Sequence, residues 1–227
     1  MIVTDSTDKE IIKQHWKRIF GDSDVFLDEL FSLVPMIFGL KISGKIASSL
    51  LVIEMDYKEH KVAYIYGAMT FEKFRRQGLM RRLLDEVCDF YENKGFSALF
   101  LLPANEKLYN FYAGCGFEKK LPVDTVILNE LPQGTEDKVL SREEYERLDY
   151  PVKMDYALFE FAIRTHLLNG GHTVNKNNDF IAYHINDGQV ICDMACTENI
   201  IRDRLAMSKC FNGFKWGKDA HIGLLME

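Results

Sequence analysis

Residues 64–80 read Tyr-Ile-Tyr-Gly-Ala-Met-Thr-Phe-Glu-Lys-Phe-Arg-Arg-Gln-Gly-Leu-Met. The part 64–70 is apolar and rich in β-forming side chains, which predicts a strand. From residue 78 to residue 93 the apolar side chains recur at helical spacing, so a helix follows a short basic loop. Backbone N–H groups at a helix start have no acceptor within the helix and carry the positive end of its dipole. This order therefore predicts an anion site, suited above all to a pyrophosphate, at the helix start.

Four residues of the loop and the first helical turn fit that site. Gly78 has no side chain, so a phosphate can approach the backbone closely. Arg75, Arg76 and Arg81 add positive charge around the same point. An Arg-x-x-Gly motif alone also fits a basic helix start that faces solvent, so the surrounding elements must decide between the two interpretations.

The elements around this segment are predicted from periodicity and turn residues. Two helices come first, and three strands with short connections then form an antiparallel meander. A fully apolar strand, typical of the centre of a sheet, and a short helix follow residue 93. The predicted ranges are 8–20 and 24–34 for the first two helices, 36–42, 45–55 and 61–70 for the meander, 97–102 for the central strand and 106–113 for the short helix.

In two motifs the chain resembles the GNAT superfamily of acyl-coenzyme A N-acyltransferases. The family signature Arg/Gln-x-x-Gly-x-Gly/Ala is matched by Arg75-x-x-Gly78-x-Met80. Met80 replaces the usual small residue, as larger residues do in the subgroup that resembles the enhanced-intracellular-survival acetyltransferases. The second motif is Tyr112-x-x-x-Gly116-Phe117, after the central strand. The resemblance covers roughly residues 8–130 and implies an α/β fold with a mixed, twisted sheet.

The resemblance also implies acetyl-CoA as co-substrate and assigns its binding residues. The amides of Gln77, Gly78, Leu79, Met80 and Arg81 would bind the pyrophosphate. The strand edge Ala68, Met69 and Thr70 would pair with the pantetheine arm, and the Met69 amide would polarise the thioester carbonyl. Asn105 and Glu106 would lie beside the pantetheine, although Asn105 also suits the role of a helix cap.

The resemblance implies that Tyr112 is the general acid that protonates the departing thiolate. Tyr109 is the alternative acid, and Tyr112 could instead be a core residue. Glu54, Glu72 and the terminal carboxylate of Glu227 are the candidate bases that would take the proton from an attacking amine. Most of the catalysis would come from positioning the reactants, so the expected reaction could proceed without a dedicated base.

The second half of the chain is predicted to be a separate, smaller lobe. The segment 131–137 combines Pro, Gly and charge without periodicity, which predicts a linker between domains 1–131 and 138–227. In the second domain we predict helices at 141–148, 155–168 and 197–209, and strands at 172–175, 180–185, 189–196 and 221–226. This order suggests a shortened repeat of the first domain. It lacks an Arg-x-x-Gly motif, so we expect a lobe without a cofactor site that covers the acceptor or forms a homodimer contact.

Composition narrows the possible partners. The net charge of −6 and the pI of about 5.6 argue against nucleic-acid binding. The sequence has neither an apolar run long enough for a membrane span nor a signal-peptide pattern, so we expect a cytoplasmic protein with reduced cysteines. Cys192 and Cys196, with His172 and His184, suggest either zinc or buried thiols, and we predict no metal. The segment 212–219 is either a loop that lines the acceptor pocket or a turn anchored by Trp216.

These observations predict an N-acetyltransferase that moves the acetyl group of acetyl-CoA to a primary amine of a small molecule or peptide. Two alternatives use the same fold. The chain could be an acetyl-CoA-binding sensor without turnover, or a protein-interaction module. The identity of the amine is not encoded in any motif of this sequence.

Overall fold

The computed structural model describes residues 2–3, 6–34, 36–123, 126–128, 134, 137–176, 179–196, 204–218 and 220–222. The chain divides into two compact units that alternate along the sequence. The first consists of Met1–Met55, His60–Glu118 and Met207–Lys215, and the second consists of Asp56–Glu59, Lys119–Ala206 and Trp216–Glu227.

From residue 6 to residue 114 the helices and strands follow the predicted order, and an unpredicted two-residue strand at Ile2–Val3 precedes them. The helices are α1 (Ser6–Phe20), α2 (Asp24–Leu33), α3 (Leu79–Asn93), α4 (Glu106–Gly114), α5 (Arg142–Arg147) and α6 (Tyr156–Leu168). The strands are β1 (Ile2–Val3), β2 (Met36–Ile42), β3 (Lys45–Tyr57), β4 (His60–Thr70), β5 (Ala98–Leu101), β6 (Glu118–Val123), β7 (Val126–Leu128), β8 (Val152–Met154), β9 (His172–Lys176), β10 (Asp179–Asn186), β11 (Gln189–Cys196) and β12 (Arg204–Cys210). A 3₁₀ turn, Glu72–Phe74, precedes α3.

The sheet of the first unit is mixed, with strand order β1-β2-β3-β4-β5-β12. Strand β2 pairs antiparallel with β3, whereas β4 and β5 are parallel. Strand β12 pairs antiparallel with β5, and Met207 lies opposite Leu101. A parallel pair needs a crossover connection, and α3 provides it between β4 and β5.

Helices cover both faces of this sheet. Ala63 and Ile65 of β4 belong to the core that holds the buried stripe of α3. Tyr64 and Tyr66 point to the opposite face because side chains alternate along a strand. On that face Trp16 of α1 lies with its ring 5.5 Å from that of Tyr66. Helix α1 therefore packs across β4 from the side opposite to α3.

The second unit contains a smaller antiparallel sheet with strand order β7-β11-β10-β9. Helix α6 begins at Asp155, whose side chain accepts a hydrogen bond from the Ala157 amide at 2.8 Å. On α6 the Phe159 ring stacks on Tyr145 at 4.3 Å and meets Phe180 of β10 edge-on at 5.7 Å. The predicted mixed α/β fold followed by a smaller lobe is confirmed.

The predicted helix at 197–209 is wrong where the structure describes it, because 204–210 form strand β12. The pattern of Leu205, Ala206 and Met207 fits either a short helix or a strand, and pairing with the distant β5 decides for the strand. The predicted shortened repeat of the first domain stays a prediction, since residues 197–203 lie outside the described ranges. The interleaved units also differ from the predicted division at 131–137, since Met207–Lys215 belongs to the first unit. In the predicted strand at 221–226 the structure describes a single bridge, Ile222 to Val123.

Candidate active site

A bulge in the middle of β4 shapes the site. Gly67 has a φ of +59°, in the left-handed region that favours glycine. Ala63 and Ile65 pack into the core beneath α3, and Ala68 packs against the same core. The alternation of side chains thus shifts by one residue at Gly67, as it does at a β-bulge. A methyl group at Gly67 would lie 1.9 Å from Cη2 of Trp16, so only glycine fits.

Beyond Tyr64, strands β4 and β5 separate. Their register comprises Val62–Ala98, Ala63–Leu99 and Tyr64–Phe100, although β4 continues to Thr70. On the edge that faces β5, the backbone of residues 65–70 is therefore not paired with any described residue of β5. An extended ligand could add to this edge in the manner of a strand.

The basic loop leads into a helix start that is open to a ligand. Gly78 is the N-cap of α3 with a φ of +72°, and it supplies no side-chain cap. The helical hydrogen bonds begin with the Arg82 amide, which donates to Gly78 O at 3.1 Å. The amides of Leu79, Met80 and Arg81 therefore have no acceptor within the helix. A Cβ at Gly78 would meet no atom within 4 Å, so the space in front of these amides is open.

The arginines around the helix start have different surroundings. Arg75 donates from Nε to the Thr70 carbonyl at 3.2 Å, which fixes it next to the end of β4. Arg76 is exposed and has a φ of +61°. Arg81 donates from its guanidinium to the Gly114 carbonyl at the end of α4, a favourable place for a cation. Arg75 and Arg76 therefore supply most of the charge that faces the open helix start.

A cavity of about 470 Å³ joins the edge of β4 to the start of α3. It brings together most of the predicted site residues, namely Ala68, Met69, Thr70, Arg75, Arg76, Gly78, Leu79, Met80, Arg81 and Tyr112. Gln77, Asn105 and Glu106 are not among its lining residues. The sequence prediction missed five lining residues, which are Ile19, Phe20, Phe74, Leu108 and Phe111. The one signal in the sequence was the apolar pair Ile19 and Phe20 directly before Gly21. In the structure their side chains are 39% and 48% exposed.

Tyr112 lies on the cavity wall, whereas Tyr109 does not. The Tyr112 side chain is 7% exposed, and its hydroxyl donates to none of the described residues. Burial, and to a smaller extent Cys115, raise the pKa of Tyr112 to about 12. The phenol therefore remains protonated over the whole physiological range and is available as a proton donor.

Asn105 caps helix α4. Its side chain accepts a hydrogen bond from the Leu108 amide at 3.2 Å, so the capping alternative is the observed one. The neighbouring Glu106 is exposed. Neither observation tests the predicted contact with pantetheine, which stays a prediction.

The candidate bases lie away from the cavity or outside the described residues. Glu54 accepts hydrogen bonds from Lys94 Nζ at 2.5 Å and from the Tyr91 hydroxyl at 3.3 Å, at the far end of α3. That end is about 20 Å from Gly78 along a helix of this length. Glu72 is exposed on the 3₁₀ turn and does not line the cavity. Glu227 lies outside the described residues.

The described cysteines and histidines of the second unit do not form a metal site. Cys192 is buried and donates to the Met194 carbonyl. His184 pairs with Asp193 at 2.6 Å and His172 with Asp137 at 2.9 Å. No group of three potential metal ligands occurs within the described ranges. The side chain of Cys196 lies outside them.

The segment 212–218 matches the second alternative predicted for it. The Trp216 ring packs edge-on against Tyr57 at 5.0 Å, and the Gly217 amide donates to the Tyr57 hydroxyl at 3.1 Å. No residue of this segment lines the cavity. Within the described part of the chain, none of the helices has the length and apolarity to cross a membrane.

One family model and several solved structures are similar to parts of this chain. A sequence model of the acetyltransferase (GNAT) family matches residues 8–117. No curated protein matches the chain by sequence. Eis1 from Mycobacterium abscessus aligns over 82% of this chain and 53% of its own, with 14% identity and a TM-score of 0.59. A GCN5-related N-acetyltransferase from Kribbella flavida aligns over 92% of this chain and 71% of its own, with 10% identity and a TM-score of 0.60. The chain thus spans about half the length of Eis1, and at these identities the likeness is one of fold.

Proposed function

We propose that this chain transfers the acetyl group of acetyl-CoA to a primary amine of a small molecule or peptide, as a member of the GNAT acetyltransferase family whose sequence model residues 8–117 match. The observation that carries the proposal is the cavity that joins the open start of α3 to the unpaired edge of β4. A ligand with a pyrophosphate next to an extended, amide-containing arm matches both parts of this cavity.

The pyrophosphate would occupy the open start of α3. The amides from Gln77 to Arg81 would donate to its oxygens, and Gly78 leaves the space for their approach. Arg75 and Arg76, both on the cavity wall, would add positive charge. Arg81 would contribute through its amide alone, because its guanidinium is held by Gly114.

The pantetheine arm would lie along Ala68, Met69 and Thr70 as an added strand. The Thr70 hydroxyl is within 3.0 Å of Ser48 Oγ, which holds this edge in place. The Met69 amide would donate to the thioester carbonyl and stabilise the oxyanion that develops during attack. The Asn105 side-chain oxygen caps α4, so its NH2 group would contact the pantetheine arm, beside Glu106.

Tyr112 would act as the general acid. A neutral amine forms a bond to the thioester carbon, and the carbon–sulfur bond breaks as the tetrahedral intermediate collapses. The Tyr112 hydroxyl gives its proton to the departing sulfur, and solvent restores that proton. The amine nitrogen loses one proton in the same turnover, so an amide and a free thiol result.

Two measurements test the proposal directly. Calorimetry with acetyl-CoA should give one site per chain. Arg75-x-x-Gly78 follows a strand and opens a helix, whereas Arg18-x-x-Gly21 ends one, and the segment between Cys196 and Leu205 has no such motif. A thiol-release assay with a panel of primary amines should detect turnover. Binding without turnover of any amine would favour the sensor, and absence of binding would favour the interaction module and contradict the proposal.

Replacing Gly78 by alanine should weaken acetyl-CoA binding at least tenfold. The new methyl group would point into the open space that the pyrophosphate needs, and the φ of +72° would add backbone strain of about 1–2 kcal/mol. Calorimetric titration of the folded variant measures the affinity.

The matched control is Gly95→Ala. Gly95 lies at the other end of α3 and also has a positive φ, and a Cβ at this residue would likewise meet no atom within 4 Å. Both variants should lose similar stability, but Gly95→Ala should bind acetyl-CoA as the wild type does. Equal losses of affinity in the two variants would contradict the phosphate site.

We also propose a cytoplasmic location. The free state of Cys88, Cys115, Cys192 and Cys210 supports it, since free thiols persist in a reducing compartment. The predicted roles of the second lobe, a cover for the acceptor or a homodimer contact, remain predictions. Sedimentation analysis of the full chain would test the second of them.

A further inference from the structure

The proposed reaction leaves one proton without an assigned acceptor. The amine nitrogen must lose a proton when the amide forms, but the described residues that line the cavity include neither a carboxylate nor an imidazole. Neither of the predicted bases within the described residues fills the gap. Glu54 is bound to Lys94 at the far end of α3, and Glu72 is exposed and does not line the cavity. The base must therefore be sought among the residues that border the cavity lining.

Two observations, one on α1 and one at the end of β4, place His15 of α1 next to the cavity. It precedes Ile19 by four residues, which places both side chains on one face of α1, and Ile19 lines the cavity. Its ring also stacks on Phe71 with centroids 3.5 Å apart and an interplanar angle of 17°. Phe71 directly follows Thr70, another lining residue, and its amide donates to the Ala47 carbonyl at 2.9 Å. The imidazole is thus held in a fixed orientation beside the end of β4.

Among the described residues, no partner occupies either nitrogen of His15. Neither makes a hydrogen bond to any residue in the described ranges, and the side chain is half-buried rather than enclosed. One helical turn, about 5.4 Å, separates His15 from Ile19 along α1. A water can relay a proton between two polar groups that do not touch directly.

We propose that His15 is the general base for the acceptor amine, which it deprotonates through one bridging water. The inference rests on the proposed acetyl transfer. As the bond between nitrogen and the carbonyl carbon forms, the water takes the proton from nitrogen and gives its own proton to His15. The imidazolium then returns this proton to solvent. Tyr112 protonates the departing sulfur, so the proton count closes without a further reactant.

The protonation state of His15 suits a base. Burial lowers the pKa of His15 below its ordinary value of 6.5, and the charge of Arg18 on the same helix lowers it further. The charged group next to the stacking partner Phe71 is Glu72, which is exposed. The imidazole is therefore mainly neutral at pH 7, and its function as a base is lost as the pH falls through this lowered pKa.

The test replaces His15 by glutamine, which retains polarity and approximate size but cannot take up a proton. We expect kcat/KM for an alkylamine at pH 7 to fall about 10²-fold or more, with acetyl-CoA affinity within twofold of the wild type. The wild-type kcat/KM profile should show an acidic inflection below pH 6.5 that is absent from the His15→Gln profile. Added imidazole should restore part of the rate of His15→Ala and leave the wild type unchanged.

His60→Gln provides the matched control. His60 is also a half-buried histidine packed on a phenylalanine ring, with centroids 4.7 Å apart, but it does not border the cavity. Its replacement should leave rate and pH profile unchanged. A folded His15→Gln enzyme that keeps the wild-type rate or the acidic inflection overturns the role of His15 alone. A wild type that acetylates no amine overturns the proposed function, and this inference with it.

Discussion

Replacing Tyr112 by phenylalanine should lower kcat by about 10²-fold or more and leave acetyl-CoA affinity unchanged. The hydroxyl makes no hydrogen bond to a described residue, so its removal takes away the proton donor without breaking a contact. For the same reason the melting temperature should remain within a few degrees of the wild type. Stopped assays of thiol release at saturating acetyl-CoA measure the rate.

Tyr109→Phe is the natural comparison, since Tyr109 lies one helical turn away on α4 and does not line the cavity. It should turn over at the wild-type rate. The wild-type rate should also show no falling limb up to about pH 10, because the pKa of Tyr112 is raised to about 12 and the phenol stays protonated. Wild-type turnover by Tyr112→Phe would remove Tyr112 from the mechanism.

Replacing Gly67 by alanine should reduce the free energy of unfolding by about 2–5 kcal/mol. Overpacking a tight site costs about 1–3 kcal/mol, and a left-handed backbone at a residue with Cβ adds about 1–2 kcal/mol. Trp16 cannot move aside easily, because it is 1% exposed and its Nε1 donates to Asp22 at 2.6 Å. Urea unfolding followed at equilibrium measures the loss.

Gly44→Ala separates the backbone strain from the steric overlap with Trp16. Gly44 also has a positive φ, of +76°, but a Cβ there would meet no atom within 4 Å. The free energy of unfolding of this variant should therefore fall only by the backbone strain of about 1–2 kcal/mol. Adding Trp16→Leu to Gly67→Ala should recover part of the loss, with a coupling energy above about 0.5 kcal/mol. If Gly67→Ala were no less stable than Gly44→Ala, the steric account of the bulge would be wrong.

The local part of the fold was predictable because its signals lie within short windows. The strand-loop-helix segment around Gly78 and a helix that begins next to Ser141 are both observed. Strand β12 was not predictable in the same way, since its identity depends on pairing with β5 far earlier in the chain. Local periodicity carries no information about such a partner.

The candidate site shows the same limit. The motif residues could be placed on the cavity because their backbone positions follow from the local elements. His15, Ile19 and Phe20 could not, because their position next to the end of β4 depends on how α1 crosses the sheet. That crossing is set by Trp16 against Gly67, a contact between residues with no shared motif.

The place of β12 in the first sheet bears on synthesis of the protein by the ribosome. The sheet of the first unit includes residues 207–210, which are translated after nearly all of the second unit. This sheet therefore cannot be completed before residues 207–210 leave the ribosome, and one edge of β5 stays without its strand partner β12 until then. Unpaired strand edges promote aggregation during such delays. Chaperone engagement of the nascent chain should accordingly be greatest before residue 210 is exposed.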